Sequence, residues 1–247
     1  MHALITGGAG DIGMAIARAL CSEGNRVTLL GRNREKLSAA AASLPMAQWV
    51  AANVTDEGEL SSAFGSARQR QGPIAVLVNN AGVSPSAPIL KTARADWDQT
   101  LAVNLTGAYL ATQLALPDML AAKWGRIVNV ASTAGLKGYA YVSAYCAAKH
   151  GLVGLTRALA IELAATGVTA NAVCPGFVDS EMTRQSVARI VEKTQLSADE
   201  AAARLAATNP QNRLISPAEV ANAVAWLCAE NSGGVNGAAI AIAGGEI

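Results

Sequence analysis

Tyr145 and Lys149 lie four positions apart in the segment 143–149, whose small residues favour a helix. Residues four apart on a helix share one face, so the phenol and the ammonium point the same way. A phenol has an ordinary pKa of about 10, and a fixed positive charge beside it lowers that value. The spacing therefore predicts an acid–base pair that can exchange one proton near neutral pH.

Ser132 follows residues 126–131, a stretch that predicts the fifth strand of a parallel sheet. Ligands of open α/β sheets collect at the carboxyl ends of the strands. A hydroxyl group there can hold the oxygen of a carbonyl or alcohol against the phenol of Tyr145. These side chains could move a proton while a cofactor moves a hydride. A Tyr-x-x-x-Lys pattern alone also fits an exposed helix face, so the assignment depends on the rest of the chain.

A glycine-rich turn joins the first predicted strand, residues 2–6, to a helix that begins near Met14. A strand, a glycine-rich turn and a helix are typical of a dinucleotide-binding unit. The glycines allow close approach of a pyrophosphate, and the helix N-terminus offers amide donors. An ordinary tight turn is the alternative. The candidate cofactor-binding residues of this turn are Thr6, Gly7, Gly10, Asp11, Ile12 and Gly13.

The second predicted strand, residues 26–30, is followed by Gly31 and Arg32. A cofactor with a free ribose 2′-hydroxyl is usually held by a carboxylate near this point. A guanidinium there suits a 2′-phosphate instead. The sequence therefore favours NADP(H), with NAD(H) as the alternative. On the opposing interpretation, Arg32 and Arg34 are solvated charges that open a surface helix.

Polar or small residues follow the other predicted strands as well. The third strand, 47–51, precedes Asn53, whose amide could meet an adenine edge, and the fourth, 74–78, is a continuous apolar run. A long helix, residues 94–122, is expected to be perturbed at Pro117 and carries Asn104 within an apolar stretch. Further candidate cofactor contacts after these strands and the sixth, 168–173, are Val54, Asn80, Ala81, Gly82, Pro175, Gly176, Val178 and Ser180.

Strands that alternate with helices predict one α/β domain over residues 1–247. We expect a Rossmann-type, doubly wound parallel sheet of about seven strands with helices on both faces. Residues 181–213 are too long for a simple connection and predict a substrate lid of two helices.

Composition excludes several other classes. The net charge is +1 without basic clusters, so neither nucleic acid nor a membrane is an expected partner. The four cysteines are scattered and the chain has only two histidines, which predicts neither a disulfide framework nor a metal site. With no signal peptide and no apolar run long enough to span a bilayer, we expect a soluble, cytoplasmic protein.

Taken together, these motifs resemble the short-chain dehydrogenase/reductase family over nearly the whole chain. The resemblance implies that Tyr145 is the catalytic acid and base and that Lys149 lowers its pKa while holding the nicotinamide ribose. It implies further that Ser132 orients the reacting oxygen and that Asn104 anchors a water next to Lys149. Members with arginine after the second strand use NADP(H), and a homotetramer is the expected assembly.

Three positions depart from the family pattern. Asp11 stands where the middle glycine of the turn is expected, and a carboxylate there disfavours pyrophosphate unless it points away. Asn53 replaces an aspartate that often meets adenine, and Ser180 replaces a threonine while keeping the hydroxyl. The first departure bears on cofactor affinity, with Asp11 a candidate cap of its helix.

The resemblance favours an NADP(H)-dependent oxidoreductase that interconverts a ketone and a secondary alcohol. The segment 171–182 and the lid resemble those of 3-oxoacyl-thioester reductases, polyketide ketoreductases and 3-hydroxybutyrate dehydrogenases. The last fit least, because no polar set for a small carboxylate is evident and Ala134 follows Ser132 by two. A 3-oxoacyl thioester of CoA or acyl carrier protein, or a similar ketone, is therefore the expected substrate. The alternative is an NAD-dependent secondary-alcohol, hydroxyacyl-CoA or sugar dehydrogenase. A nucleotide-sensing protein without catalysis is the rival from another class, and the complete set of four catalytic candidates argues against it.

Overall fold

A single parallel sheet of seven strands forms the centre of the computed structural model, which describes residues 1–247. The strands are β1 (His2–Thr6), β2 (Arg26–Gly31), β3 (Ala47–Ala51), β4 (Val76–Asn79), β5 (Gly125–Val130), β6 (Val168–Pro175) and β7 (Ala239–Ile242). Their spatial order is β3-β2-β1-β4-β5-β6-β7, so successive strands are added on one side of β1 up to β3 and on the other side from β4 onward. The predicted doubly wound sheet is confirmed.

Helices cover both faces of the sheet because side chains along each strand alternate between the faces. Ala3 and Ile5 pack into one core with the first, second and last helices, whereas Leu4 packs into the other. The helices are α1 (Asp11–Ser22), α2 (Arg34–Ala42), α3 (Glu57–Gln71), α4 (Arg94–Leu101), α5 (Gly107–Ala122), α6 (Ser143–Glu162), α7 (Glu181–Lys193), α8 (Ala198–Ala206) and α9 (Pro217–Cys228). No helix is long and apolar enough to cross a membrane.

The long helix predicted over 94–122 contains a break in its hydrogen-bond pattern that the sequence did not reveal. A π-helical turn, Ala102–Thr106, separates α4 from α5, whereas α5 continues through Pro117. A π turn accommodates one extra residue, and such turns are frequent at functional sites. Asn104 lies in this turn and is almost fully buried.

Side-chain caps fix the starts of the helices beyond β6. Ser180 accepts a hydrogen bond from the backbone N–H of Thr183 at the start of α7. Ser197 and Ser216 begin α8 and α9 with capping boxes, in which a glutamate three residues later bonds back to the cap. The two helices expected within 181–213 are therefore present as separate, well-defined elements.

Candidate active site

The turns after β1 and β4 are bonded to each other. Thr6 Oγ1 accepts hydrogen bonds from the backbone N–H groups of Asn80 and Ala81, at 3.0 and 3.1 Å. The Asn80 side chain donates to the carbonyl oxygens of Thr6 and Gly7, both at 3.1 Å. Asn80 therefore positions the glycine-rich turn, a structural role beside the cofactor contact that the sequence predicted.

Backbone crowding explains two of the glycines in the turn. A Cβ atom on Gly13 would lie 2.4 Å from the carbonyl oxygen of Gly7, well inside van der Waals contact. Gly7 has φ +64°, and a Cβ atom on it would approach Ala81 to 3.0 Å. Without side chains, Gly7 and Gly13 let the turn pack closely against Ala81 and against itself. A closely packed turn of this kind at the N-terminus of a helix fits the pyrophosphate of a dinucleotide. Gly10 and Ile12 lie in the same turn, at the start of α1.

Asp11 points away from this cradle toward α7. Its carboxylate accepts a hydrogen bond from the backbone N–H of Glu181 at 2.6 Å and pairs with Arg184 at 3.2 Å. Helix α1 has Gly10 at its N-cap and no side-chain cap, so the expected capping role of Asp11 is wrong. Its side chain is committed to α7 instead of a cofactor.

A basic cleft of about 840 Å³ lies beyond the carboxyl ends of β2 and β3. Arg32 and Arg34 line it together with Asn53, Glu59 and Arg70. Arg32 and Arg34 follow the carboxyl end of β2, whereas Arg70 near the end of α3 donates to the carbonyl oxygen of Trp49. The preference for NADP(H) predicted from Arg32 stays a prediction.

Asn53 already has partners within its own loop. Its backbone N–H donates to Glu59 at 2.8 Å, and its side-chain oxygen accepts from the N–H of Thr55 at 3.2 Å. The amide Nδ2 is the part left to meet an adenine edge. Val54 is buried and packs against Gly107, where a Cβ would come within 3.0 Å.

Ser132 and Tyr145 meet at the carboxyl end of β5. Ser132 Oγ accepts a hydrogen bond from the N–H of Ala134 at 3.1 Å, which holds the hydroxyl while leaving its proton free to donate. Burial raises the pKa of the Tyr145 phenol to about 12, and the hydrogen bond with Ser132 acts in the lowering direction. The phenol is therefore protonated throughout the physiological pH range.

Lys149 is buried beneath the tyrosine. Its Nζ donates to the carbonyl oxygen of Val130 at 2.8 Å and lies 5.5 Å from the centroid of the Tyr145 ring. Burial lowers the pKa of Lys149 to about 8. The expected lowering of the Tyr145 pKa is not met in this structure, because burial penalises the charged forms of both groups.

Asn104 lies on the other side of Lys149. Its Nδ2 donates to the carbonyl oxygens of Val83 and Thr100, at 2.9 and 2.8 Å, and its oxygen accepts from the N–H of Val83. A Cβ on Gly82 would lie 2.9 Å from this oxygen and 3.8 Å from Lys149 Nζ. Because Gly82 has no side chain, both Asn104 and Lys149 can lie close to its backbone.

The segment after β6 reaches the same edge of the sheet. Pro175 ends β6 beside Ile242 of β7, and Val178 forms a parallel bridge with Ile215. Ser180 is buried, and its oxygen is occupied by the cap of α7, so only its proton is available to a ligand. The pairing of β5 with β6 brings Pro175 and Gly176 to the edge of the sheet where Ser132 lies, and Val178 and Ser180 continue from there to the start of α7.

Sequence reasoning missed one polar cluster at this edge. Glu246, after β7, accepts a hydrogen bond from the hydroxyl of Tyr139 and pairs with Lys137 at 2.9 Å. Tyr139 also bonds Thr133, the neighbour of Ser132, at 2.7 Å. No local sequence pattern predicts this cluster, because its members come from two distant segments of the chain.

Known proteins are similar to this chain over almost its full length. The sequence profile of the family described as short chain dehydrogenase matches residues 1–190. The chain is 37% identical to the D-beta-hydroxybutyrate dehydrogenase of Cupriavidus necator, covering 99% of this chain and 97% of that protein. It is 36% identical to the 3-oxoacyl-[acyl-carrier-protein] reductase FabG of Aquifex aeolicus, covering 98% and 95%.

The fold of this chain is also similar to that of a solved structure. A single-residue variant of actinorhodin polyketide ketoreductase, crystallised with NADPH, superposes with a TM-score of 0.96 at 37% identity, covering 99% of this chain and 96% of that one. The shared fold therefore includes the region of the candidate active site.

Proposed function

Because the chain belongs to the short-chain dehydrogenase family and is an NAD(P)-dependent oxidoreductase, we propose that it is an NADP(H)-dependent ketone reductase. The favoured substrate is a 3-oxoacyl thioester of CoA or acyl carrier protein, or a similar ketone. The observation that carries this proposal is the convergence of Ser132, Tyr145 and Lys149 at the carboxyl end of β5.

The protonation state of Tyr145 suits the donation of a proton to a ketone. A phenol with a pKa of about 12 is an acid at neutral pH, the form that donates a proton to a carbonyl oxygen. When bound, the cofactor supplies the hydride for the carbonyl carbon. The Ser132 hydroxyl, which lies next to the phenol, orients the carbonyl oxygen, and Lys149 stabilises the phenolate left after proton transfer.

The binding roles follow from the placement of the turns. Gly7, Gly13 and the N-terminus of α1 would hold the pyrophosphate, and Arg32 would pair with a 2′-phosphate. We propose residues 181–213 as the lid, held to the glycine turn by Asp11. Asn104 would position Lys149 and its neighbouring solvent.

The first test measures oxidation of NADPH and of NADH with acetoacetyl-CoA on the same purified protein. Fast turnover with NADPH and slow turnover with NADH is the expected result. A preference for NADH would contradict the cofactor assignment, and consumption of neither cofactor would exclude this thioester.

Replacing Tyr145 by phenylalanine tests the role of the phenol. We expect turnover to fall about a hundredfold or more, since a positioned general acid contributes about that much. NADPH affinity, measured by fluorescence titration, should stay nearly unchanged. Turnover at the wild-type level would refute the assignment.

Replacing Arg32 by alanine tests the 2′-phosphate contact. The KM for NADPH should rise about tenfold, since charge-assisted hydrogen bonds to phosphate are strong but this side chain is exposed. The KM for NADH should not change. Arg18→Ala, on the exposed face of α1, is the matched control, and equal effects on both cofactors would contradict the proposal.

An NAD-dependent secondary-alcohol, hydroxyacyl-CoA or sugar dehydrogenase is the second candidate. The 37% identity to the D-beta-hydroxybutyrate dehydrogenase of Cupriavidus necator supports it. Faster alcohol oxidation with NAD than ketone reduction with NADPH would make it the leading function.

We further propose a homotetramer in the cytoplasm. Ile161 on α6 is 81% exposed and Tyr109 on α5 is 44% exposed, which leaves apolar side chains on both long helices available for subunit contacts. Four free thiols suit a reducing compartment. Light scattering coupled to size exclusion gives the subunit count, and a monomer would contradict the assembly.

A further inference from the structure

The carboxylate of Glu246 is buried at the edge of the candidate active site. Its side chain is only 3% exposed. A turn through Gly244 and Gly245, with φ +61° and +95°, brings it there after β7. A buried carboxylate is unfavourable unless its oxygens have hydrogen-bond or charge partners, so the partners of each oxygen are informative.

The two oxygens of Glu246 differ in this respect. Oε1 takes both internal partners, the hydroxyl of Tyr139 and the ammonium of Lys137 at 2.9 Å. Oε2 is equally buried and has no hydrogen-bond partner. The chain therefore supplies donors to one oxygen of the carboxylate and none to the other.

Oε2 lies against the segment that follows β6. A Cβ atom on Gly176 would lie 3.1 Å from Oε2, so a side chain at this position would crowd the oxygen. Tyr139 connects the same carboxylate to Thr133, which adjoins Ser132 in the chain. The ring of Phe177 packs edge-on against Tyr139, with the centroids 6.3 Å apart, and closes this wall. The free oxygen thus lies at the carboxyl ends of β6 and β7, next to the end of β5.

We propose that Glu246 is a specificity-determining residue whose Oε2 accepts a hydrogen bond from a hydroxyl group of the substrate. The inference rests on the proposed ketone reduction and specifies its substrate class as ketones that carry a neutral hydroxyl away from the carbonyl. A carboxylate accepts such a bond strongly and disfavours an anionic group at the same place. Lys137 and Tyr139 act as positioning residues, because they hold the carboxylate through Oε1.

The test compares cyclohexanone with 3- and 4-hydroxycyclohexanone in the wild-type protein and in Glu246→Gln. Glutamine can keep the acceptor for Tyr139 and Lys137 but offers an N–H donor where Oε2 was. We expect the wild type to prefer one hydroxylated ketone in kcat/KM and the variant to lose about tenfold or more of that preference, chiefly through KM. Cyclohexanone, which carries no hydroxyl, gives the general effect of the substitution on turnover, and the hydroxyl preference is expressed relative to it. Glu230→Gln, an exposed position, is the matched control.

Titration calorimetry of the same ketones with the NADP⁺ complex provides a readout that does not need turnover. A hydroxyl-dependent gain in affinity that Glu246→Gln abolishes would support the inference even if the protein reduced none of these ketones, which would count against the proposed reductase alone. Turnover without any hydroxyl preference in the wild type would overturn the inference while leaving the reductase proposal intact. An equal loss for all three ketones in Glu246→Gln would also overturn it, since that result indicates a purely structural carboxylate.

Discussion

Replacing Lys149 by methionine is expected to stabilise the cofactor-free protein at pH 7 while abolishing its turnover. The ammonium is 3% exposed and has one hydrogen-bond acceptor, the carbonyl of Val130. No carboxylate pairs with it. Burial of this ammonium therefore destabilises the folded protein, although the proposed reaction needs the lysine.

The free-energy cost of burying the Lys149 ammonium follows from the pKa of this group. Burial lowers the pKa of Lys149 from 10.5 to about 8. One pKa unit corresponds to about 1.4 kcal/mol, so the charged lysine destabilises the folded state by about 3 kcal/mol. Losing the hydrogen bond to Val130 costs about 1 kcal/mol. The net gain of about 2 kcal/mol should raise Tm by roughly 4–8 °C.

The stability difference between Lys149→Met and the wild type should depend on pH. Between pH 8 and 10.5 the unfolded chain binds more protons at Lys149 than the folded chain, so wild-type stability rises with pH across this window. Below pH 8 both states are protonated and the full penalty is present. The advantage of Lys149→Met should therefore be constant below pH 8 and disappear by about pH 10.5.

Urea unfolding at pH 7, 9 and 10.5 without cofactor measures this difference. Lys36→Met, at an exposed position, is the control and should change stability by less than about 0.5 kcal/mol. A destabilised Lys149→Met protein at pH 7, or a stability difference that does not depend on pH, would refute the reasoning.

Three further predictions concern the turns around the site. Gly13→Ala should abolish NADPH binding in a fluorescence titration, because its Cβ would lie 2.4 Å from the Gly7 oxygen; tight binding would contradict the cradle. Asp11→Gly should speed NADPH release about fivefold in stopped-flow experiments by freeing α7, with Asp11→Asn closer to wild type because it still accepts the Glu181 N–H. Unchanged release would exclude the tether. Gly244→Ala should destabilise by at least about 2 kcal/mol in urea, since its Cβ would meet Asn209 at 1.9 Å, whereas Gly245→Ala has room and bears only backbone strain; equal losses would contradict this difference.

The sequence could predict what depends on periodicity and on residues next to strand ends. The apolar run 74–78 and the stretch 126–131 predicted parallel strands. Parallel strands place their carboxyl ends at one edge of the sheet, so Ser132 and Tyr145 were expected to meet. The alternation of strands and helices likewise predicted the doubly wound sheet. These features are local or follow from topology.

What the sequence could not predict depends on contacts between distant residues. Asp11 looked like a helix cap, but its partners lie in α7. The pairing of Tyr139 with Glu246 joins residues that no motif connects. The pKa of Tyr145 was expected to fall because spacing shows a neighbouring charge but not the burial that opposes it.

The π turn between α4 and α5 sets the rotational phase of the two helices around their shared axis. One extra residue corresponds to about 100° of helical rotation, so α5 presents a different face to the sheet than a regular continuation of α4 would. Removing one residue from Ala102–Thr106 would restore regular bonding but swing either Asn104 or the α5 face that packs on β4 out of place. One extra residue thus allows Asn104 to face the site while α5 packs on the core. We therefore expect insertions and deletions in this turn to be tolerated much less well than in the helices on either side.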